Sequence, residues 1–352
     1  CDGLPAQRSE DNTAKDKDAA HMDLSVIIPC KNEAGSLPSL CEELVRTFSS
    51  RKGLRLELVF VNDGSTDDTS HALEAVQADG RMTHTVVVTL SRNFGKEPSM
   101  LAGLQQATGD YLAFMDADLQ QSPKTLLAMY DLLIAHQDEC DVVAAYQSRR
   151  KGGLRAKLSS CFYGAFNSIS ETRLEPDASD FRVFKRCVAE ALLAMPEYSR
   201  FTKGLFSWVG FRTRPFEYEP DERYAGHSKW SLGSLLHYAT TGFVAFSSVP
   251  LLFSAYVGAL FALIGFVYII FVFIDAMVLH NTPAGYPTIV SLLLIVGGLI
   301  LLSLGIIGEY LSHIYMEGKH RPIYIARQIR RMDEGRASER GVTTNATAGS
   351  EH

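Results

Sequence analysis

The chain has 352 residues, with 34 Lys and Arg against 40 Asp and Glu and a formal charge of −6. That length holds one or two domains with a large core. The acidic balance, with no Lys/Arg stripe interleaved with aromatics, excludes nucleic acid as the expected partner. Six cysteines (Cys1, Cys30, Cys41, Cys140, Cys161 and Cys187) show no CxxC or Cys/His metal spacing, so free thiols in a reducing compartment are expected.

Residues 1–22 read as a disordered polar tail, because Asp2–Ala20 contains no apolar run. Cys1 stands where an initiator Met would, and Met22 is a candidate native start. From 23 to 230, apolar runs alternate with helical patterns, which predicts an α/β domain with a mainly parallel sheet. Leu24–Pro29 leads to a helix with Leu37, Leu40, Leu44 and Phe48 on one face. Leu56–Val61 ends in Asn62-Asp63-Gly64-Ser65-Thr66, where Ser65 or Thr66 is the expected cap of a helix begun by Asp67 and Asp68. Thr85–Leu90, Tyr111–Met115 and Asp141–Ala145 are the remaining strand candidates, and Pro123 opens a helix.

Polar residues thus gather at the carboxyl ends of successive strands, where open α/β sheets bind ligands. Neither a Gly-x-Gly-x-x-Gly fingerprint nor a Walker loop is present, which argues against dinucleotide or P-loop chemistry. The fourth strand ends in Asp116-Ala117-Asp118-Leu119-Gln120. Two like charges at the mouth of a buried strand are costly unless a cation or hydrogen bonds compensate them. Such oxygen donors suit Mg²⁺ or Mn²⁺ shared with substrate phosphates; a strand-end turn with a capping Asp is the alternative.

Beyond Lys229 the character changes. Residues 231–249 form an amphipathic segment suited to a membrane surface. Residues 250–279 and 287–311 contain the nearly uncharged runs Leu251–Ile274 and Pro287–Gly308, each matching the ~20 apolar residues of a span. The connection 280–286 has no Lys or Arg, whereas the flanks carry Lys229, Lys319, Arg321, Arg327, Arg330 and Arg331. By the positive-inside rule the α/β domain and both termini face the cytoplasm of a multi-pass inner-membrane protein. Residues 312–331 read as a juxtamembrane segment and 332–352 as a disordered tail.

Taken together, these pieces resemble the GT-A glycosyltransferases of family two, in the polyprenyl-phosphate branch of bactoprenol glucosyltransferases and dolichol-phosphate mannose synthases. The matching residues are Val26-Ile27-Ile28-Pro29-x-x-Asn32-Glu33, Val61-Asn62-Asp63-Gly64-Ser65, Ser91-Arg92-Asn93-Phe94-Gly95-Lys96-Glu97 and Asp116-Ala117-Asp118-Leu119-Gln120. Asp180-Phe181-Arg182, Gly226-x-Ser228-Lys229-Trp230, the two spans and Gly308-Glu309-Tyr310-Leu311 complete the set. The resemblance implies a Rossmann-like GT-A domain followed by two transmembrane helices. Position 62 is Asn where relatives are usually acidic, and His227 replaces an acidic residue.

It also implies a nucleoside diphosphate sugar as donor, bound by Pro29, Lys31, Glu33 and Asp63 around the nucleoside and by Lys96, Asp116, Ala117 and Asp118. Mg²⁺ or Mn²⁺ would be held by Asp116, Asp118 and Gln120. The acceptor would be a polyprenyl phosphate such as undecaprenyl phosphate, its phosphate met by Arg182, Arg186 and Lys229. Asp180, or Asp177 behind it, is the candidate base or orienting carboxylate, and Arg182 shares the catalytic assignment. The basic run Arg149, Arg150, Lys151, Arg155 and Lys157 is suited to anionic lipid or to a solvated loop. The expected reaction is inverting transfer of glucose from UDP-glucose by a homo-oligomer such as a tetramer. Mannose, N-acetylhexosamine or amino-arabinose are alternative sugars, and a membrane-anchored nucleotide-sugar-binding subunit is the non-enzymatic alternative.

Overall fold

A computed structural model describes residues 22–51, 53–78, 81–82, 84–147, 178–195, 197–198, 200–219, 249–278, 285–333, 336–340 and 343–344. These residues fall into two compact units, an α/β unit that includes the chain from 322 onward, and a helical unit within 231–321.

The α/β unit is built in the predicted order: β1 (Leu24–Cys30), α1 (Leu37–Ser49), β2 (Leu56–Asn62), α2 (Thr69–Ala78), β3 (His84–Leu90), α3 (Lys96–Gln106), β4 (Tyr111–Phe114), α4 (Pro123–Ala135) and β5 (Val142–Gln147). Next come β6 (Ala178–Lys185), α5 (Arg186–Leu193), α6 (Thr202–Trp208) and β7 (Thr213–Tyr218). The sheet runs β3-β2-β1-β4-β6-β5-β7, extended beyond β3 by strands from the C-terminal part of the chain. Its centre, β3-β2-β1-β4, is parallel, and both faces of β1 are buried, which explains its unbroken apolar run. Val26, Ile28, Leu58 and Phe60 pack in one core with Leu37, Leu40 and Leu44 of α1 and Leu126 and Leu133 of α4. On the other face α3 lies very close to β1: a Cβ at Gly103 would come within 2.3 Å of Ile27 Cγ2.

Between β4 and the fifth predicted strand lies β6, antiparallel to both. The segments read as juxtamembrane chain and disordered tail contain β8 (Ile325–Asp333), β9 (Arg336–Arg340) and β10 (Thr343–Thr344). β8 pairs antiparallel with β3 from His84↔Asp333 to Leu90↔Ala326. Ala326 and Ile329 of this strand are buried, Arg327 is exposed and Arg330 and Arg331 are half-buried, so arginines counted for the positive-inside rule belong to a sheet strand. Cys30, Cys41 and Cys140 are free, as expected, and they are buried. Cys187 is disulfide-bonded, against the expectation of free thiols.

The helical unit contains α7 (Val249–Val278) and α8 (Tyr286–Gly318), which contact one another. Within α8, Ile295–Gly318 is long and apolar enough to cross a membrane; within α7, Phe253–Tyr268 is a shorter apolar stretch. Tyr256, Leu293 and Leu301 are among the large apolar side chains exposed on these helices. The second expected span ended at 311, but the helix continues to Gly318. The interfacial segment 231–249 and the connection 280–286 lie almost wholly outside the described residues.

Candidate active site

The loops after β1 and β2 are tied to one another. Asn32, at φ 56°, donates its backbone N–H to Ser65 Oγ (3.0 Å), and its Oδ1 accepts from Thr66 N (2.9 Å). Lys31 Nζ donates to the carbonyls of Asp63 (3.1 Å) and Gly64 (2.5 Å). Glu33 accepts from Ser36 Oγ through Oε2 (2.8 Å), and its N–H donates to Thr69 Oγ1 (2.9 Å). Asp67, rather than Ser65 or Thr66, caps α2: its Oδ1 accepts from Thr69 N at 3.1 Å. Pro29, half-buried, stands beside Val61 in the β1–β2 register.

Asp63 braces the next loop. Its Oδ1 accepts from Phe94 N (2.7 Å) and its Oδ2 from Gly95 N (3.0 Å). Burial pushes this carboxyl up from its ordinary value, against the pull of the two amides and of Lys31. Gly64 makes the approach possible: φ is +55°, and a Cβ there would lie 2.5 Å from the carbonyl carbon of Arg92. Asn62 points its amide to the other side, donating to Ser70 Oγ (2.9 Å). A polar cavity of about 380 Å³ opens there, between α2 and strands β2, β3 and β8, and none of the predicted site residues lines it.

Lys96, at the start of α3, is the centre of the charged cluster. Its Nζ lies 2.7 Å from Asp116 Oδ1 and 2.9 Å from Asp180 Oδ2. Antiparallel pairing explains the meeting: Phe114 faces Arg182 in the β4–β6 register, so Asp180 lies level with the residue two beyond Phe114. Burial opposes the charge on Lys96, but Asp116 and Asp180 outweigh it and raise its pKa. Burial likewise opposes the charge on Asp180, yet Lys96, Lys203 and Arg182 hold that carboxyl well below the usual range. Asp180 Oδ1 is buried and has no hydrogen-bond partner among the described residues.

Asp116 is engaged on both sides, since Gln121 Nε2 donates to its Oδ2 (3.0 Å) and Gln121 Oε1 accepts from its backbone N–H (2.7 Å). Asp118 Oδ1 accepts from Gln120 N (3.1 Å) across Leu119, which sits at φ 63°. Ala117 is buried beneath the loop, whereas Asp118 and Gln120 are half-exposed. One carboxylate and one carboxamide, both hard oxygen donors, fit a divalent cation whose remaining ligands come from a diphosphate. Among the described residues no cluster of three His, Cys, Asp or Glu could hold a metal by itself.

Arg182 is buried; its Nε donates to Ser179 O (3.2 Å) and its guanidinium lies 4.5 Å from the Phe206 ring. Arg186 is not part of this cluster. It donates to the carbonyls of Ala107 (3.1 Å) and Gly109, at the amino end of β4. Expected as a partner of Arg182 in gripping phosphate, it follows the last residue of β6, and the intervening strand carries it toward the other end of the strands, beside the start of β4. Lys229, His227, Asp177 and the basic run 149–157 lie outside the described residues.

Four residues in or beside the cluster were given no role from sequence: Gln121, Thr202, Phe206 and Glu97, the last quoted only as the end of the Ser91–Glu97 motif. Gln121 and Glu97 each directly follow an assigned residue, and that adjacency was the available signal. Thr202 and Phe206 carried none, because only the fold brings α6 to β6.

The chain matches two family models, "Glycosyl transferase family 2" over residues 25–193 and "GtrB C-terminal hairpin" over residues 249–314. It is 35% identical to the prophage bactoprenol glucosyl transferase homolog of Escherichia coli K12, over 88% of this chain and 100% of that one. It is 38% identical to the bactoprenol glucosyl transferase of Shigella phage SfV, over 86% of this chain and 98% of that one. Among solved structures, glucosyl-3-phosphoglycerate synthase from Mycobacterium tuberculosis aligns over 63% of this chain and 78% of its own, at 18% identity and a TM-score of 0.42.

Proposed function

This chain belongs to glycosyl transferase family 2 and is a glycosyltransferase, and from that premise we propose inverting transfer of glucose from UDP-glucose to a polyprenyl phosphate such as undecaprenyl phosphate. The relatives named bactoprenol glucosyl transferase, matched over nearly their whole length, support both the acceptor and the sugar. The match to a C-terminal hairpin over α7 and α8 supports two membrane spans, with the α/β unit on the cytoplasmic side.

The observation that carries this reading is the Lys96 bridge, which gathers the Asp116–Gln120 loop and Asp180 around one ammonium group. Mg²⁺ or Mn²⁺ bound by Asp118 and Gln120 would neutralise charge building on the leaving diphosphate. Asp116 then serves mainly to hold Lys96 and Gln121 in place. Asp180 is held ionised and is a weak base. Its buried, unpartnered Oδ1 suits it to accept a hydrogen bond from a sugar hydroxyl, as an orienting carboxylate. A strong base is unnecessary, because a phosphate monoester with a second pKa of about 6 is already anionic at neutral pH. Attack by that anion on the anomeric carbon, in one displacement, inverts the configuration.

The test is direct. Full-length protein in detergent, given short-chain polyprenyl phosphate, Mn²⁺ and a panel of labelled nucleotide sugars, should produce a labelled lipid of the mass of a hexosyl phosphate with UDP-glucose. Preference for another nucleotide sugar would overturn the assignment of glucose, and release of nucleoside diphosphate without a labelled lipid would overturn the acceptor.

A further inference from the structure

Helix α6 has no capping side chain of its own, since Phe201 occupies its N-cap position. The cap comes from α3 instead. Glu97 Oε2 accepts from Thr202 N at 3.0 Å and also from Thr202 Oγ1. Its neighbour Lys96 reaches Asp116 and Asp180. Two consecutive residues thus tie the carboxylate loop, strand β6 and helix α6 together. α6 in turn places Phe206 beneath the Arg182 guanidinium and against Phe114 and Phe184.

We propose that Glu97 is a positioning residue for sugar transfer, holding α6 and the Asp180–Arg182 edge in register with the Lys96–Asp116 side of the site. This rests on the reading that Asp180 and Arg182 line the reacting edge. A carboxylate accepting two hydrogen bonds at a helix start is a strong tether, because charge-assisted bonds exceed neutral ones and the helix dipole favours an anion there. The charged groups around it are Lys96 beside it, Asp180 from β6 and Arg200 from the segment leading into α6. Burial and the Asp180 charge push the Glu97 carboxyl up to about 7, against Thr202 and Lys96. The tether therefore changes charge near neutral pH.

The experiment compares wild type, Glu97→Gln and Glu97→Ala as full-length protein in detergent, with kinetics for both substrates from about pH 6 to 8.5. Glu97→Gln mimics the protonated acid. It should keep Tm within about 2 °C, match wild type near the acid end, and lose about tenfold in kcat/KM for the polyprenyl phosphate at the alkaline end. The KM for UDP-glucose should be unchanged. A wild-type to Glu97→Gln ratio that is constant with pH, or a loss wholly explained by a lower folded fraction, would overturn the proposal. Hydrogen exchange reads the tether without turnover: Glu97→Ala should speed exchange across 202–208 and at 180–182, and unchanged exchange there would also overturn it. A wild-type enzyme inactive on polyprenyl phosphate would count against the acceptor assignment, while the exchange result still decides the role of Glu97.

Discussion

Replacing Lys96 by Met removes the ammonium that separates Asp116 from Asp180. The two contacts, at 2.7 and 2.9 Å, each represent roughly 6 kcal/mol of attraction at an effective dielectric of about 20. Desolvation of the three groups offsets most of that gain. The Lys96 side chain is 37% exposed, so the net value falls between the ~0–1 kcal/mol of a surface pair and the ~3–5 kcal/mol lost when a buried pair is broken. Because Asp180 is left buried beside a second carboxylate, we expect a cost of about 2 kcal/mol, or a Tm lower by roughly 4–8 °C for a unit of this size. The assay is thermal unfolding of the full-length protein in detergent for Lys96→Met, Asp180→Asn and the double variant. Relieving the repulsion in the double variant should recover more than about 1 kcal/mol relative to the sum of the single costs. Transfer activity should stay low in all three, since both the bridge and the orienting carboxylate are needed. Single costs that add to within about 0.5 kcal/mol would refute the coupling on which the site assignment depends.

Glu97 and Asp180 predict opposite pH dependences of stability. For Glu97 the folded value of about 7 exceeds the ordinary 4.5, so the stability it contributes is fully present below 4.5 and is lost as the pH rises through 7. Urea midpoints between those limits should fall with pH in wild type and be flatter in Glu97→Gln. The Asp180 carboxyl is depressed, so its contribution is present above the ordinary carboxylate range and is lost in acid. Asp118→Asn and EDTA should each remove transfer by about a hundredfold or more while leaving Tm in place; undiminished transfer in EDTA would eliminate the metal. Arg186→Ala should cost about 1–3 kcal/mol by leaving the carbonyls of Ala107 and Gly109 without their donor. Its kcat and acceptor KM per folded enzyme should be unchanged, and a raised acceptor KM would return Arg186 to the phosphate.

The parallel centre of the sheet was legible because β1 to β4 are buried on both faces and therefore read as unbroken apolar runs ending in polar loops. The Asp116–Gln120 loop was legible for the same reason, since its charges interrupt such a run. β6 was not. In Ala178–Lys185 the charges Asp180, Arg182 and Lys185 interrupt the apolar residues, so the segment was not among the strand candidates, and only pairing with β4 gives it a face. Arg182 and Arg186 have helical spacing in sequence, but a strand carries them about 13 Å apart along its axis at ~3.3 Å per residue. Lys96 was read as a cation for the diphosphate. Only the β4–β6 register reveals that two carboxylates already converge on it.

The C-terminal strand changes how the two units depend on each other. The chain leaves the α/β unit after β7, forms α7 and α8, and returns to add β8 to the sheet, so the helices are an insertion rather than an appendage. A truncation after α8 that deletes residues 322–352 would remove the arginines of β8 and much more. It would strip Ile323, Tyr324, Ala326 and Ile329 from the core and expose the whole edge of β3. It would also delete the Tyr324 hydroxyl bond to Gln105, the 2.9 Å Arg330–Glu74 ion pair and the Arg331 bond to Gln106 Oε1 (2.9 Å). At ~1.5–3 kcal/mol for each large apolar side chain, the burial alone is on the order of 5 kcal/mol, comparable with the total stability of a domain. The truncated protein should therefore aggregate through the β3 edge or expose it to proteolysis, even with every expected substrate ligand before residue 231 intact. Limited proteolysis and analytical size exclusion of full-length and truncated protein would measure this. A truncated form that stays monodisperse, protease-resistant and active would mean that β8 is a dispensable extension and that the fold closes at β3.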